Sequence, residues 1–120
     1  MQEEVLNLFG SLLMKRVRDW SIQDIDMLVS GQAKGLTAER FQNLFAQPND
    51  NCKALIQQVT PDIVDFTIHN LLWMLEQEGE IEVFVRLKSG EFLNLKDASD
   101  GLTGENYEWI RQFSQERYTD

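Results

Sequence analysis

The chain has 120 residues and a net charge of −9, with 42% hydrophobic and 26% charged residues. This composition is that of a folded globular protein and excludes an intrinsically disordered chain. The acidic balance argues against nucleic acid and anionic membranes as partners, because like charges repel. We expect a single domain over residues 1–120, since this length suits one hydrophobic core.

Negative charge and aromatic side chains are concentrated in the second half of the chain. Residues 61–120 carry thirteen Asp/Glu against five Lys/Arg, whereas residues 1–60 carry seven against six. The same half contains eight of the twelve aromatic residues. A surface that is both acidic and aromatic is typical of a protein that binds another protein, and it would attract a basic partner.

Three features of the sequence bear on the cellular compartment. Cys52 is the only cysteine, so no intrachain disulfide can form, which favours a reducing environment. Residues 1–20 lack the basic start and continuous apolar segment of a secretory signal peptide. The longest apolar run, residues 71–75, is far shorter than the roughly twenty residues that a membrane span needs. We therefore expect a cytoplasmic protein that does not contact a membrane.

Apolar residues at three- and four-residue spacings predict helices in the first half of the chain. The basic residues within residues 15–18 indicate the end of a first helix, where cations are favourable. Ser21 is expected to cap a second helix, and Thr37 opens a third that ends at Pro48.

A polar break over residues 48–51 is followed by a short fourth helix. Thr60-Pro61 is typical of a helix start, and it predicts a fifth helix that runs to Gly79. This fifth helix is apolar on two faces, so we expect it to be central in the fold.

The hydrophobic period then changes from that of a helix to that of a strand. Apolar and polar residues alternate over residues 81–87, and Ser89-Gly90 predicts a hairpin turn. A hairpin is marginal alone, so either the fifth and last helices cover one face or an outer strand joins the sheet of a partner. Thr103 is expected to cap a last helix. The predicted fold is α+β and helix-dominated, with about five helices, a β-hairpin and a C-terminal helix.

One group of residues on the fifth helix is a candidate for chemistry. Asp65, His69 and Glu76 share a narrow sector of the helix, an arrangement that suits a metal ligand set or an acid–base pair. The chain has no second histidine and no HExxH spacing, which favours an ordinary polar stripe. We therefore expect no enzyme activity, catalytic residue, metal or cofactor, and a small metalloprotein or enzyme centred on these three residues is an alternative.

The acidic surface is the remaining candidate for function. We expect acidic residues of the hairpin and last helix to attract a basic protein, with an exposed aromatic residue as anchor. The predicted partner-binding residues are Glu80, Glu82, Asp100, Glu105, Tyr107, Glu108 and Trp109. The alternative is a homo-oligomeric structural or regulatory subunit that self-associates through the hairpin edge and exposed aromatic residues.

The segment SDGLTGE at residues 99–105, followed by Trp109-Ile110 and Phe113-Ser114, resembles a C-terminal signature of small uncharacterised bacterial proteins. The segment HNLLW at residues 69–73 is similar to them as well. The resemblance does not extend to residues 1–60, and it implies no catalytic residue. Short acidic proteins of this kind resemble the immunity partners of bacterial toxins. The resemblance itself implies no activity, and by analogy with immunity proteins we expect a non-enzymatic inhibitor as one form of the protein-binding module.

Overall fold

The computed structural model describes residues 1–46 and 51–117. Its helices are α1 (Gln2–Leu13), α2 (Trp20–Ser30), α3 (Leu36–Phe45), α4 (Asn51–Gln77) and α5 (Glu105–Phe113). Its strands are β1 (Phe84–Arg86) and β2 (Phe92–Asn94), and short 3-10 turns at Lys96–Ala98 and Leu102–Gly104 connect β2 to α5. The predicted class is confirmed: the fold is α+β and helix-dominated, with a two-stranded antiparallel hairpin before a C-terminal helix.

The chain stays helical from α1 into α2, without the predicted break before Ser21. Residues Met14–Asp19 form a π-helical segment, a wide turn that is often found at functional or strained positions. Arg18 and Asp19 within this segment are buried. The prediction that residues 15–18 end a helix is therefore wrong, because tertiary contacts engage this charged segment and the helix continues through it.

The predicted fourth and fifth helices are a single helix, α4, with Thr60 and Pro61 buried inside it. Proline has no N–H to donate to the carbonyl oxygen four residues earlier, which belongs to Gln57. That oxygen instead accepts a hydrogen bond from Arg117 Nη2 at 3.2 Å. Thr60 Oγ1 donates to the carbonyl oxygen of Ile56 at 2.6 Å. A distant residue thus compensates for the proline inside α4.

The start of α3 lies one residue before the predicted position. Gly35 precedes the helix with a φ of 113°, a conformation that glycine adopts more easily than other residues. The described helix ends at Phe45. The predicted end at Pro48, and most of the polar break over residues 48–51, lie outside the described residues.

The hairpin follows the predicted alternation over residues 83–87, whereas Ile81 is exposed and each strand spans only three residues. Val85 pairs with Leu93, and both side chains contribute to the core, whereas Phe84 is exposed. The turn is closed by the N–H of Gly90, which donates to the carbonyl oxygen of Leu87 at 2.9 Å. Gly90 has a φ of 93°, as a glycine in a tight turn allows. The inner face of the hairpin packs into the helical core, and α1 contacts β1, whereas the prediction named the fifth and last helices as the cover.

The core lies between α1, the C-terminal half of α4, the hairpin and α5. Its buried side chains are Val5, Leu13, Met14, Ile68, Leu72, Leu75, Val85, Leu87, Leu95, Ala98, Leu102, Trp109 and Ile110. Trp109 packs directly over Gly10 and against Phe9, with 5.7 Å between the two ring centroids. Within the described residues, α2 and α3 contribute nothing to this core, so they form a thinner layer beside it.

The molecule is elongated, with extents of 54 × 28 × 28 Å and a radius of gyration of 17.3 Å. A compact domain of this length would have a radius of gyration of about 14 Å. The difference means that α2, α3 and the N-terminal half of α4 extend away from the core. No helix within the described residues combines the length and the apolar character needed to cross a membrane.

Arg18 holds residues 114–117, which we call the C-terminal segment, against the helices. Its guanidinium is fully buried and donates from Nε and Nη2 to both carboxylate oxygens of Asp65, at 2.7 and 3.2 Å. Nη1 donates to Ser114 Oγ at 2.7 Å and to the carbonyl oxygen of Glu116 at 3.2 Å. Nη2 also donates to the carbonyl oxygen of Arg117. All five N–H groups of the guanidinium are therefore used.

Two further carboxylates bind the same segment. Asp19 accepts hydrogen bonds from Ser114 Oγ at 2.5 Å and from the N–H of Gln115 at 3.0 Å. Asp26 on α2 accepts two hydrogen bonds from Arg117, at 2.8 and 3.1 Å. The hydrogen bond to Asp26 raises the pKa of Arg117, while partial burial acts in the opposite direction. Arg117 therefore stays cationic at every physiological pH, and this ion pair does not depend on its titration.

We expect Gly10→Ala to destabilise the protein. A Cβ atom at this position would lie 2.5 Å from Trp109 Nε1, so the indole would have to move out of its place in the core. Overpacking of this kind costs about 1–3 kcal/mol, which exceeds the gain in helix propensity of roughly 1 kcal/mol or less. Denaturant unfolding measures the difference. The control is Gly104→Ala, since Gly104 has helical dihedral angles and nothing within 4 Å of a new Cβ. Equal stability of Gly10→Ala and wild type would contradict this packing.

We expect Arg18→Met to lower the free energy of unfolding by about 3–5 kcal/mol, because it leaves the buried Asp19 and the partly buried Asp65 without their cation. Replacing Asp65 by Leu in the same chain should recover part of the loss, since an apolar pair avoids an unpaired charge. Urea unfolding of the single and double variants measures both effects. Arg16→Met is the matched control: Arg16 is exposed, so the change should stay within about 0.5 kcal/mol. An equally small effect at both positions would rule out the buried network.

Candidate protein-binding surface

α4 has one apolar face in the core and a second that is exposed. Ile68, Leu72 and Leu75 lie on the buried face. The opposite side carries exposed apolar residues at three-, four- and seven-residue spacings, which we call the α4 stripe: Leu55, Val59, Ile63, Phe66 and Trp73. This helix was expected to be central, and it does contact α2, α5 and the π-helical segment, but only one of its two apolar faces enters the core. Within the described residues α1, the hairpin and α5 all pack on the same side of it, and the stripe stays uncovered.

The α4 stripe exposes large side chains. Phe66 is 70% exposed, Ile63 60% and Trp73 53%. A fully buried aromatic residue removes roughly 150–250 Å² from water, so the two aromatic side chains leave on the order of 250 Å² exposed. Monomeric proteins rarely show contiguous apolar patches larger than a few hundred Å² unless the patch is an interaction site. With its aliphatic members added, the stripe reaches that size.

A groove with a volume of about 570 Å³ borders the stripe between α2, α3 and α4. Its lining is mainly apolar and consists of Val17, Ile25, Phe41, Ile56, Ile63, Val64 and Ile68, with Ser21, Asp24, Thr60 and Thr67 as the polar members. Ile63 belongs to both the groove and the α4 stripe. The groove and the stripe therefore meet at Ile63.

A larger cleft between α1 and the hairpin has a different character. Its volume is about 1060 Å³, and its lining includes Glu3, Glu4, Arg86 and Lys88, so both signs of charge are present. The Glu4 carboxylate already accepts a hydrogen bond from the backbone N–H of Lys88 at 3.1 Å. Because its polar groups partly satisfy one another, this cleft is a weaker candidate for binding than the apolar groove.

Five of the seven predicted partner-binding residues are exposed: Glu80, Glu82, Asp100, Tyr107 and Glu108. They belong to three separate segments, namely the loop before β1, the loop between the 3-10 turns, and α5. Within residues 1–46 and 51–117, Glu80, Glu82 and Asp100 form no ion pair. Their charge is therefore available to a partner, and their role in binding stays a prediction.

Glu105 and Glu108 are more strongly engaged within the fold. Glu105 accepts a hydrogen bond from Ser99 Oγ at 3.0 Å, and Glu108 forms an exposed ion pair of 2.8 Å with Arg111. Both line a cleft of about 370 Å³ between α5 and α1, together with Glu3. The sequence pattern did not associate Glu3 with this surface, because it lies about a hundred residues away in the chain.

Trp109 was expected to be exposed, and this is wrong. Only 2% of its surface is accessible, since the apolar face of α5 turns towards α1 and the indole packs over Gly10. Tyr107 lies on the other side of α5, about 200° around the helix axis, and is half-exposed. Trp109 therefore stabilises the core and does not anchor an external partner, whereas Tyr107 remains accessible.

The three residues considered for chemistry do not converge on a site. Both carboxylate oxygens of Asp65 accept hydrogen bonds from Arg18. Glu76 Oε1 accepts a hydrogen bond from the N–H of Thr103 at 3.2 Å, so this carboxylate, and not the predicted Thr103 hydroxyl, serves the turn before α5. His69 is half-buried beside them. Among the described residues no group of three His, Cys, Asp or Glu could hold a metal ion.

Comparison with known proteins adds no further constraint. No protein-family model, curated protein or solved structure matches the chain. The resemblance of residues 99–114 to small bacterial proteins therefore stays a prediction. The exposed surfaces of the molecule are the basis on which a function can be proposed.

We expect the double variant Phe66→Ser, Trp73→Ser to leave the free energy of unfolding within about 1 kcal/mol of wild type, because each change lies on an exposed face. Leu72→Ala on the buried face of the same helix should cost about 2–5 kcal/mol, since it opens a cavity in the core. Thermal or urea unfolding of the two variants measures both. A loss of similar size in both variants would place the α4 stripe inside the folded core.

Proposed function

We propose that this chain is a non-enzymatic protein-binding module with a basic partner. The observation that carries the proposal is the α4 stripe, which exposes Phe66 and Trp73 outside the core. Apolar burial provides most of the free energy of association, and aromatic residues are frequent centres of binding energy. The acidic residues Glu80, Glu82 and Asp100 would attract the partner over a longer range and accelerate the encounter.

An immunity-type inhibitor in the bacterial cytoplasm is the specific form of this function that we favour. The resemblance of residues 99–114 to small bacterial proteins supports it. The exposed thiol of Cys52 also supports a reducing compartment, since a free surface cysteine is prone to oxidation elsewhere. Such an inhibitor would cover a basic surface of a toxin and block it sterically and electrostatically.

A homo-oligomeric subunit is the second candidate, and one feature of the stripe favours it. Val59, Phe66 and Trp73 are each seven residues apart, which is the repeat by which helices pair in coiled coils. The net charge of −9 acts against self-association, because two copies would repel each other. Light scattering at low micromolar concentration separates the candidates: a monomer supports binding to a different protein, and a dimer supports the subunit.

Binding to the natural partner tests the main proposal. The partner is captured from native lysate, identified and purified, and its binding is then measured by surface plasmon resonance. Phe66→Ser with Trp73→Ser should weaken binding at least about 30-fold, chiefly through faster dissociation, because two aromatic anchors are lost. Reversing Glu80, Glu82 and Asp100 to Lys should instead slow association and flatten its dependence on salt.

The matched control is Phe84→Ser, which removes an exposed aromatic residue of the hairpin outside the stripe. We expect little change in affinity for this variant. The proposed function is refuted if the stripe variant, the acidic variants and the salt concentration leave the affinity and the association rate of the partner unchanged.

A further inference from the structure

The groove between α2, α3 and α4 has three helical walls and an open fourth side. Its floor is formed by Ile25, Phe41, Ile56 and Val64, which are only partly buried. Helices of bundle proteins bury apolar stripes of this kind against a neighbouring helix. Within the described residues no segment of the chain occupies this position, and the groove is open on this side.

The shape and chemistry of the groove fit an α-helix as its occupant. Helical walls present ridges and grooves that accept side chains spaced at i, i+3, i+4 and i+7 on an incoming helix. The floor is aliphatic and aromatic, which suits the apolar face of an amphipathic helix. Ser21 and Thr67 at the rim are small polar residues, which leave the entrance open.

The negative charge at the rim of the groove favours a partner with positive charge at this position. Asp24 is exposed, and it is the one charged side chain in the groove lining that the structure describes. It forms no ion pair or hydrogen bond with any described residue, in contrast to Asp26 two residues later, which binds Arg117. A lysine or arginine that flanks the apolar face of an incoming helix would complement Asp24. A second copy of this chain would instead add a further charge of −9.

We infer that the groove receives an amphipathic α-helix of the partner protein, with a basic residue of that helix opposite Asp24. This inference rests on the proposed function, for which it specifies the mode of recognition. The helix would lie along the groove and meet Ile63, where the groove joins the α4 stripe. The rest of the partner would cover Phe66 and Trp73.

The test uses a displayed library of peptides of about 16 residues, with Leu at i, i+3, i+4 and i+7 and with Lys, Glu or Ser elsewhere. Selection against the wild-type chain should enrich Lys over Glu. Thr67→Trp fills the groove from its rim and should weaken the selected peptides at least tenfold, as should Ser21→Trp. Asp24→Lys should reverse the selection towards Glu. Circular dichroism and urea unfolding verify that each variant is folded.

Two controls separate the groove from the surrounding surface. Gln23→Trp adds the same bulk at an exposed position of α2 outside the groove lining, and Glu39→Lys reverses an exposed charge on α3. Neither should change peptide binding by more than about twofold. Loss of binding in these controls as large as in the groove variants would overturn the inference.

The remaining outcomes distinguish failure of the inference from failure of the proposed function. If no peptide is enriched, or if selected peptides respond only to Phe66→Ser and Trp73→Ser, the groove inference is wrong and the proposed function stands on its own test. If the wild-type chain is a dimer that Thr67→Trp dissociates, the groove holds a second copy and the inferred occupant is wrong. If the stripe and acidic variants bind the natural partner as the wild-type chain does, the proposed function is refuted, whatever the result with the peptides.

Discussion

The ion pair between the buried Arg18 and the partly buried Asp65 is the interaction on which the arrangement of the helices depends. A buried charge is strongly unfavourable unless its donors are all satisfied, and here the C-terminal segment supplies the acceptors that Asp65 cannot. Arg18 therefore connects the π-helical segment to both α4 and the C-terminal segment. The same segment brings Arg117 to the carbonyl oxygen of Gln57, which Pro61 leaves without an amide donor. The C-terminal segment thus supplies hydrogen-bond partners at two irregular points of the helices, namely Arg18 in the π-helical segment and the turn before Pro61 in α4.

Local sequence patterns predicted the elements of the fold better than their junctions. The alternation over residues 81–87 and the glycine at position 90 act within a few residues, so the hairpin could be predicted from them. Ser21 and Thr60-Pro61 have the composition of helix starts, yet both lie within continuous helical chain. What keeps the chain helical at these points is a set of contacts with the C-terminal segment, and such long-range contacts leave no local pattern.

The proposed binding surface was only half predictable, for a related reason. The sequence shows that α4 is apolar on two faces, but either face could have been the one in the core. Because α1, the hairpin and α5 all pack on the side of Leu72, the opposite face of α4 is the exposed one. Trp109 shows the opposite error, because a residue expected on the binding surface is buried in the core. An aromatic residue on a short amphipathic helix suits an interface or a core, and it is buried because Gly10, far away in the chain, leaves room for its indole.

The separation of the core from the α4 stripe allows stability and recognition to be changed independently. The core contacts one face of α4 and carries the folding free energy, so the opposite face is free to expose Phe66 and Trp73 without loss of the fold. Exposed apolar surface normally invites self-association, and the charge of −9 opposes it. The same negative charge attracts a basic partner. Acidic charge and apolar area therefore have complementary roles in the proposed function. The charge disfavours association with other copies of the chain and accelerates association with a basic partner. Burial of the apolar area then slows dissociation of that partner.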